Sequence, residues 1–246
     1  MEQPETPSVV LLDADFLVYR VSFGDKEATE SAAKNRLTEY LTDIVYMNLE
    51  ADDYKAWITG KGNYRYDVAV TTPYKGNRKD VEKPPHYQAL RDHLERLGAL
   101  VTFNNEADDA VAIESCKGNY WIVHVDKDLD QLKGWHYNPV KDERYYVDEL
   151  QGLFNFYTQV LVGDRVDNIL GLRGIGPVKA AKILKGCTSE IELYEACCEA
   201  YRKHEEVQDR LIENAQLLWL QRKENQLWQP PKGSTPWKVK VESESH

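Results

Sequence analysis

Strand-sized apolar runs alternate with helical patterns over residues 1–147, and helices joined by short turns follow them. This order predicts an α/β protein: a mostly parallel twisted sheet flanked by helices, followed by a C-terminal helical region. Three observations carry the prediction. Four short apolar runs have strand length, the segments between them have helical spacing, and 42% apolar residues in a chain of 246 is enough for a sizeable core.

The first run, SVVLL (8–12), ends in Asp13. A helical pattern from about 26 to 49 places Leu37, Leu41, Ile44, Val45 and Leu49 on one face. The second run, YKAWIT (54–59), is closed by the turn Gly60-Lys61-Gly62-Asn63. TTPYKGNRKDVEKPP (71–85) is polar and basic without core-building periodicity. It reads as an exposed loop or arch, about 73–97 with the helix 86–97 that it feeds. A strand at 99–103, a helix at 106–116 and a strand at 120–125 complete the α/β part. Domain expectations follow: an α/β core over 1–147, a helical region over 148–229, and a Pro/Gly/Ser-rich extended tail over 230–246. There is no internal repeat.

Composition excludes several classes. No apolar stretch is long enough to cross a bilayer, and the acidic start MEQPETPS lacks the pattern of a signal peptide, so a cytoplasmic location is expected. Cys116, Cys187, Cys197 and Cys198 show no CxxC spacing and read as reduced, buried thiols rather than a zinc or disulfide framework. The net charge of −10, from 31 basic and 41 acidic residues, argues against nucleic-acid binding unless many carboxylates share one site.

Four acidic clusters raise that alternative: Asp13 after the first strand, Glu106-Ala-Asp108-Asp109 opening a helix, Asp126-Lys-Asp128 after the strand YWIVHV, and Asp164-Arg-Val-Asp167. Each has an ordinary explanation. Asn105 and the acidic first turn behind it fit a helix N-terminus, and acids after strands are common loop residues. The i, i+3 spacing of Asp164 and Asp167 puts both on one helix face. Their joint placement is more telling, because parallel sheets bind ligands beyond the carboxyl ends of their strands, where Asp13 and Asp126 lie. Eight carboxylates on one rim repel one another unless divalent cations sit among them. An oxygen-rich set poor in Cys and His favours Mg²⁺ or Mn²⁺. Setting those eight aside leaves 33 acidic against 31 basic residues, so the rest of the chain is nearly neutral.

GLRGIGPVKAAKIL (171–184) is a second signal. Gly174 and Gly176 permit tight turns, Pro177 starts a helix, and Lys179 and Lys182 follow on it. This is the pattern of a helix-hairpin-helix, about 164–186, which grips a nucleic-acid backbone without reading bases; a plain Gly-Pro helix connection is its ordinary counterpart. Tyr74-Lys75-Gly76-Asn77-Arg78-Lys79 offers cations and an aromatic for phosphate contact and base stacking, and Tyr19-Arg20 is a weaker pair of the same kind.

Together LLDADFLVYR, YKGNR, EADDAVA, VDKDLDQL and VGDRVDNILGLRGIGPVKAAKIL resemble the 5′-nuclease family: phage 5′→3′ exonucleases, flap endonucleases and the 5′-nuclease domain of polymerase I. The matches span residues 11–184, about 70% of the chain. The short length and LIENAQLLWLQR look most like the phage branch, with its role in DNA replication or recombination. The resemblance implies a PIN-like nuclease fold and a two-metal phosphodiesterase acting on DNA duplexes with 5′ ends or flaps, with RNA in hybrids a further substrate. It implies Asp13, Asp108 and Asp126 around one Mg²⁺ or Mn²⁺ with Glu106 near it. It implies Asp126, Asp128, Asp164 and Asp167 around a second, with Asp109 in the acidic doublet. Lys75 and Arg78 match basic residues that approach the scissile phosphate, and Tyr19 and Tyr74 match aromatics near the terminal nucleotide. The hairpin, between Gly171 and Gly176, matches a site for a monovalent cation such as K⁺. The sequence departs from the family in the turn after the second strand, where Gly60 and Lys61 stand in place of an acidic ligand.

Three other readings compete. A flap endonuclease differs from an exonuclease only in preferred substrate. A DNA-structure-binding protein that has lost a ligand accounts for Gly60. A haloacid-dehalogenase-like phosphatase would use Asp13 as nucleophile and Asp15 as acid/base, and leaves EADD, YKGNR and the hairpin without a role.

Overall fold

The structure, a computed structural model, describes residues 6–24, 26–78, 82–235 and 237. The expected tail lies largely outside these residues, as do Lys79 and the first five positions.

The α/β part runs β1 (Val9–Asp13), α1 (Asp15–Gly24), α2 (Glu30–Thr42), β2 (Asp53–Lys61), α3 (Arg65–Val68), α4 (Tyr87–Arg96), β3 (Leu100–Phe103), α5 (Ala107–Ser115), β4 (Trp121–Val123), β5 (Gly134–Asn138) and β6 (Glu143–Val147). The strands form one sheet in the order β3-β2-β1-β4-β5-β6, parallel throughout except for the antiparallel pair β5–β6. The mostly parallel sheet expected from the alternation is present. Val10–Leu12 of β1 and Trp121–Val123 of β4 are apolar and buried at every position because both faces of the sheet are covered. Val10 and Leu12 of β1 pack with α1, α2 and α4, while Leu11 points to the opposite face against Val111 and Ala112 of α5.

Two differences from the sequence reading have local causes. The helix expected from residue 26 begins at Glu30, where the Thr29 hydroxyl accepts the Ala32 N–H at 3.3 Å, and its final stretch Asp43–Asn48 is π-helical. Strands β5 and β6, which the sequence reading did not contain, are aromatic and polar rather than aliphatic. They are held by pairing and by ring stacking, as in Trp121 on Trp135 at 5.3 Å and 13°.

The C-terminal part comprises α6 (Glu149–Val162), β7 (Gly163–Asp164), β8 (Ile169–Leu170), α7 (Pro177–Ile183), α8 (Glu190–Lys203) and α9 (Gln208–Leu218) around their own buried cluster, with Phe156, Tyr157, Leu193 and Tyr201 at its centre. All four thiols are free. Cys197 and Cys198 are buried as expected, whereas Cys116 is exposed. Among the described residues no helix is long and apolar enough to cross a membrane.

Asp164 and Asp167 do not share a helix face. The chain leaves α6 at Gly163, φ 74°, and turns back as the β7–β8 hairpin. The hairpin packs so tightly that a Cβ on Gly163 would lie 2.3 Å from the Gly171 nitrogen, and one on Gly171 2.1 Å from the Val162 carbonyl carbon. Asp164 Oδ1 accepts the N–H groups of Val166 at 2.7 Å and Asp167 at 3.2 Å, which folds the turn instead of a helix.

Candidate active site

The strand order reverses between β1 and β4, and a doubly wound sheet opens a crevice at that point, beyond its carboxyl ends. Asp13 closes β1 and its Oδ1 accepts the Asp15 N–H at 3.2 Å. Asp126 follows β4, its Oδ1 accepting the Asp128 N–H at 3.0 Å as the chain enters the short 3₁₀ turn Lys127–Gln131. Glu106 is the N-cap of α5, which puts Asp108 in the first turn beside it. The β7–β8 turn brings in Asp167.

Six of the eight expected carboxylates, Asp13, Glu106, Asp108, Asp126, Asp128 and Asp167, thus line one cleft of about 640 Å³ together with Tyr19, Tyr74, Lys75 and Arg78. The basic loop is not free. Its backbone and side chains dock on the acidic hairpin: Lys75 N–H to the Asp167 carbonyl at 2.9 Å, Arg78 Nε to the Val166 carbonyl at 3.0 Å, and Asn168 Nδ2 to the Pro73 carbonyl at 2.9 Å. Tyr74, only 4% exposed, sets its hydroxyl between Glu106 Oε2 at 2.7 Å and Asp167 Oδ2 at 2.8 Å, where its one proton can go to either carboxylate. Lys75 Nζ donates to Glu106 Oε1, and Arg78 Nη2 pairs with Asp167 Oδ1 at 2.9 Å.

The electrostatics divide the cleft. Burial, reinforced by Asp15 and Asp126, holds the Asp13 carboxyl well above the usual carboxylate range. Burial and the adjacent Asp109 and Glu106 do the same to Asp108. Burial and Asp126 push Asp128 up to about 7. Asp167 is raised mainly by burial, against the pull of Lys75. Glu106 is also buried, but Lys75 and Arg65 outweigh the desolvation and hold it below its ordinary value. At one end the site is therefore a knot of under-neutralised oxygen ligands, and at the other a set of carboxylates already paired with cations. The knot fits Mg²⁺ or Mn²⁺, since a divalent ion relieves both the desolvation and the mutual repulsion.

The remaining expected residues lie elsewhere. Asp109 is fully buried and both its oxygens bind Arg65 Nη1 and Nη2, so it has no face toward the cleft. It also accepts the Glu106 N–H at 3.2 Å, completing a capping box in which Glu106 rather than Asn105 is the cap. Asp164 sits behind the cleft, paired with Lys127 Nζ at 2.8 Å. Arg20 lines an adjoining surface with Arg36 and Tyr40. Gly174, φ 75°, and Gly176, the N-cap of α7, lie apart from the carboxylates. Lys179 and Lys182 are exposed on α7, with Lys179 Nζ returning to the Gly174 carbonyl at 2.8 Å.

Other cleft residues had no role in the nuclease reading of the sequence. Asp15, Thr59, Lys83 and Tyr87 line the cleft. Asp15 is fixed by Arg91 Nη1 at 3.0 Å and by the Thr59 N–H at 3.0 Å, which leaves its carboxylate occupied. Gly60 also faces the cleft, and a Cβ there would lie 1.9 Å from the Thr102 carbonyl oxygen. Asp67, the nearby acid, is exposed on α3 and does not line the cleft.

Several curated proteins are similar to this chain in sequence. Flap endonuclease Xni of Shewanella putrefaciens is 29% identical over 198 residues, 72% of this chain and 73% of that protein. A 5′-3′ exonuclease of Aquifex aeolicus is 38% identical over 134 residues, 47% of this chain and 46% of that one. The chain resembles the 5′-nucleases. The same likeness holds in fold: the T5 D15 protein, co-crystallized with metal ions, superposes with a TM-score of 0.68 at 16% identity over 85% of this chain and 88% of that one. No protein-family model matches. DNA polymerase I of Caldicellulosiruptor bescii is 25% identical over 218 residues, and the chain spans a quarter of that protein's length.

Proposed function

We propose that the chain is a divalent-metal-dependent 5′-nuclease that hydrolyses phosphodiester bonds at DNA 5′ ends, with 5′→3′ exonuclease action its main activity and flaps and RNA in hybrids as further substrates. The observation that carries this is the convergence of seven carboxylates and three cations on one cleft at the switch point of the sheet. The naming of relatives as exonucleases and flap endonucleases supports it.

Asp13, Asp108 and Asp126, with Glu106 close by, are assigned to one Mg²⁺ or Mn²⁺; Asp126, Asp128 and Asp167, with Asp164 behind them, are assigned to a second. Bound there, two such ions would supply an activated water, a clamp on the phosphate and stabilisation of the departing 3′ oxygen. Lys75 and Arg78, held at the rim by the β7–β8 turn, exchange their carboxylate partners for phosphate oxygens and neutralise charge that grows in the transition state. Tyr19, 38% exposed at the cleft mouth, offers a face to the terminal base, whereas Tyr74 orients Glu106 and Asp167. The Gly171–Gly176 turn and α7 serve as a helix-hairpin-helix. Its backbone and Lys179 and Lys182 hold the duplex, with a K⁺ site on the turn carbonyls. Nothing in this arrangement reads bases, so cutting is positioned by DNA structure. The setting proposed for this activity is phage DNA replication or recombination in the host cytoplasm, on the resemblance of LIENAQLLWLQR to the phage branch. The phosphatase reading gains nothing, because its acid/base Asp15 is bound to Arg91.

The test is digestion of a 5′-labelled duplex and a 5′-flap substrate side by side, with Mg²⁺, with Mn²⁺ and with EDTA. Short labelled products from the duplex in metal alone support the exonuclease. Cleavage of the flap only shifts the assignment to a flap endonuclease, and tight binding without products under either metal overturns the enzyme.

A further inference from the structure

Beside the carboxylate cleft, two histidines have no part in the nuclease reading: His124, which follows β4, and His136, in the middle of β5. His124 Nδ1 lies 2.6 Å from the Asp126 carbonyl oxygen, and His136 Nε2 lies 2.9 Å from the Leu132 carbonyl oxygen. A carbonyl oxygen only accepts, so each of these nitrogens carries its ring's N–H. The two nitrogens left over, His124 Nε2 and His136 Nδ1, face each other at 2.8 Å. A neutral imidazole has a single N–H, so both present lone pairs. The rings are 1% and 0% exposed, and no water can separate the pair at that distance. Two lone pairs aimed at one another in a dry interior call for a cation.

Asp130 supplies the opposing charge. Its Oδ1 is 3.8 Å from His124 Nε2 and accepts the Tyr145 hydroxyl at 2.7 Å. One ligand atom from each of His124, Asp130 and His136 lies within 4.8 Å of the others.

We propose that His124, His136 and Asp130 form a second metal site, distinct from the carboxylate cleft, that takes a borderline divalent ion such as Zn²⁺. Zinc–nitrogen bonds of about 2.0–2.1 Å in a tetrahedron set ligand atoms roughly 3.3 Å apart. The rings therefore part by about half an ångström and Asp130 closes by about as much. The surrounding arrangement is the one metal-bound histidines adopt, each ring donating its other N–H to a fixed oxygen, here a backbone carbonyl. Tyr145 stacks on His136, with centroids 5.3 Å apart and planes at 12°, and its hydroxyl lies 3.5 Å from His124 Nε2. Access and a fourth ligand come from a cleft of about 310 Å³ lined by His124, Asp126, Asp130 and Tyr145. Nitrogen ligands separate this site chemically from the all-oxygen cleft, which prefers hard ions. An ion here also fixes the carbonyl of Asp126, and with it the turn that enters the carboxylate cleft.

The experiment uses the full chain, stripped with EDTA and then dialysed against trace Zn²⁺ with Mg²⁺ in large excess to fill the oxygen sites. Metal content is read by mass spectrometry, and Co²⁺ is substituted to read coordination from visible absorption. The expected result is one Zn²⁺ per chain and an intense four-coordinate Co²⁺ spectrum. Asp108→Asn keeps both, while Asp130→Asn and His136→Gln each lower Zn²⁺ affinity on the order of a hundredfold. Asp130 is partly exposed, so its variant is expected to fold, which circular dichroism checks. Zn²⁺ displaced by Mg²⁺, or retained equally by folded Asp130→Asn, overturns the proposal and leaves a proton shared between the two rings.

Discussion

Arg65 and Asp109 hold each other through both carboxylate oxygens, at 2.5 and 2.9 Å, with the two side chains 2% and 0% exposed. Arg65 also donates to the Leu217 and Trp219 carbonyls, and Asp109 accepts the Gln221 N–H at 3.0 Å. The pair therefore bolts α5 to the segment following α9. Replacing Arg65 by Met leaves a buried unpaired carboxylate and is expected to cost about 3–5 kcal/mol of stability. Urea denaturation at neutral pH measures it, and a cost below about 1 kcal/mol contradicts this account.

The acidic doublet splits into two jobs. Asp109→Asn is expected to lower stability and leave Mg²⁺ affinity within about twofold, whereas Asp108→Asn is expected to raise stability in EDTA and weaken Mg²⁺ binding at least tenfold. Isothermal titration with Mg²⁺, paired with melting curves, separates the two.

The raised carboxyls give a pH signature. Asp128 is pushed up to about 7, so the native state holds its proton more tightly than the unfolded chain does. The stability this contributes is present in acid and lost as pH rises through about 7. His124 and His136, each pushed down to about 4, act in the opposite sense and only below the ordinary histidine range. Between about pH 6.5 and 8 the melting temperature in EDTA should therefore fall, and the gain on adding Mg²⁺ should grow. Asp128→Asn should flatten both trends. A melting temperature that rises across this window in EDTA contradicts the assignment.

Gly60 stands where the resemblance to the 5′-nucleases leads one to expect an acid, and the backbone there permits nothing larger. Thr102 O stands 1.9 Å from where a Cβ would be. Gly60→Asp, which restores the family's acid, is expected to destabilise by about 2 kcal/mol or more through displacement of β3 and to give no gain in activity. A folded variant with tighter Mg²⁺ binding would show that the strand can yield.

Lys179 and Lys182 are assigned to phosphate contact, away from the chemistry. The double Lys→Ala change should weaken duplex binding, reduce the salt slope of affinity by about two units, and leave cleavage at saturating DNA nearly unchanged. Fluorescence anisotropy over a salt series reads this directly. An unchanged slope removes the hairpin from the interface.

The sequence displayed the sheet clearly because β1 and β4 are apolar runs buried on both faces, with Asp13 closing the first and Asp126 soon after the second. It could not show which acid of the doublet faces the cleft. That depends on the phase of α5 against Arg65, 44 residues away. The i, i+3 spacing of Asp164 and Asp167 fits a helix and a turn equally well, and only the close packing of Gly163 on Gly171 selects the turn. Strands β5 and β6 lack the aliphatic runs that mark buried strands. The docking of Tyr74 beneath Glu106 and Asp167 was hidden for a related reason: a basic, Gly-containing loop carries no sign of what it will pack against.

The most direct test of the central claim is a single-turnover assay on a 5′-labelled duplex with wild type and Asp126→Asn, with DNA affinity measured alongside in Ca²⁺. Asp126 lies where both proposed ions meet. The account predicts unchanged affinity and a loss of Mg²⁺-dependent cleavage on the order of a hundredfold or more. Cleavage within about tenfold of wild type by the variant, or cleavage by wild type in EDTA, contradicts it.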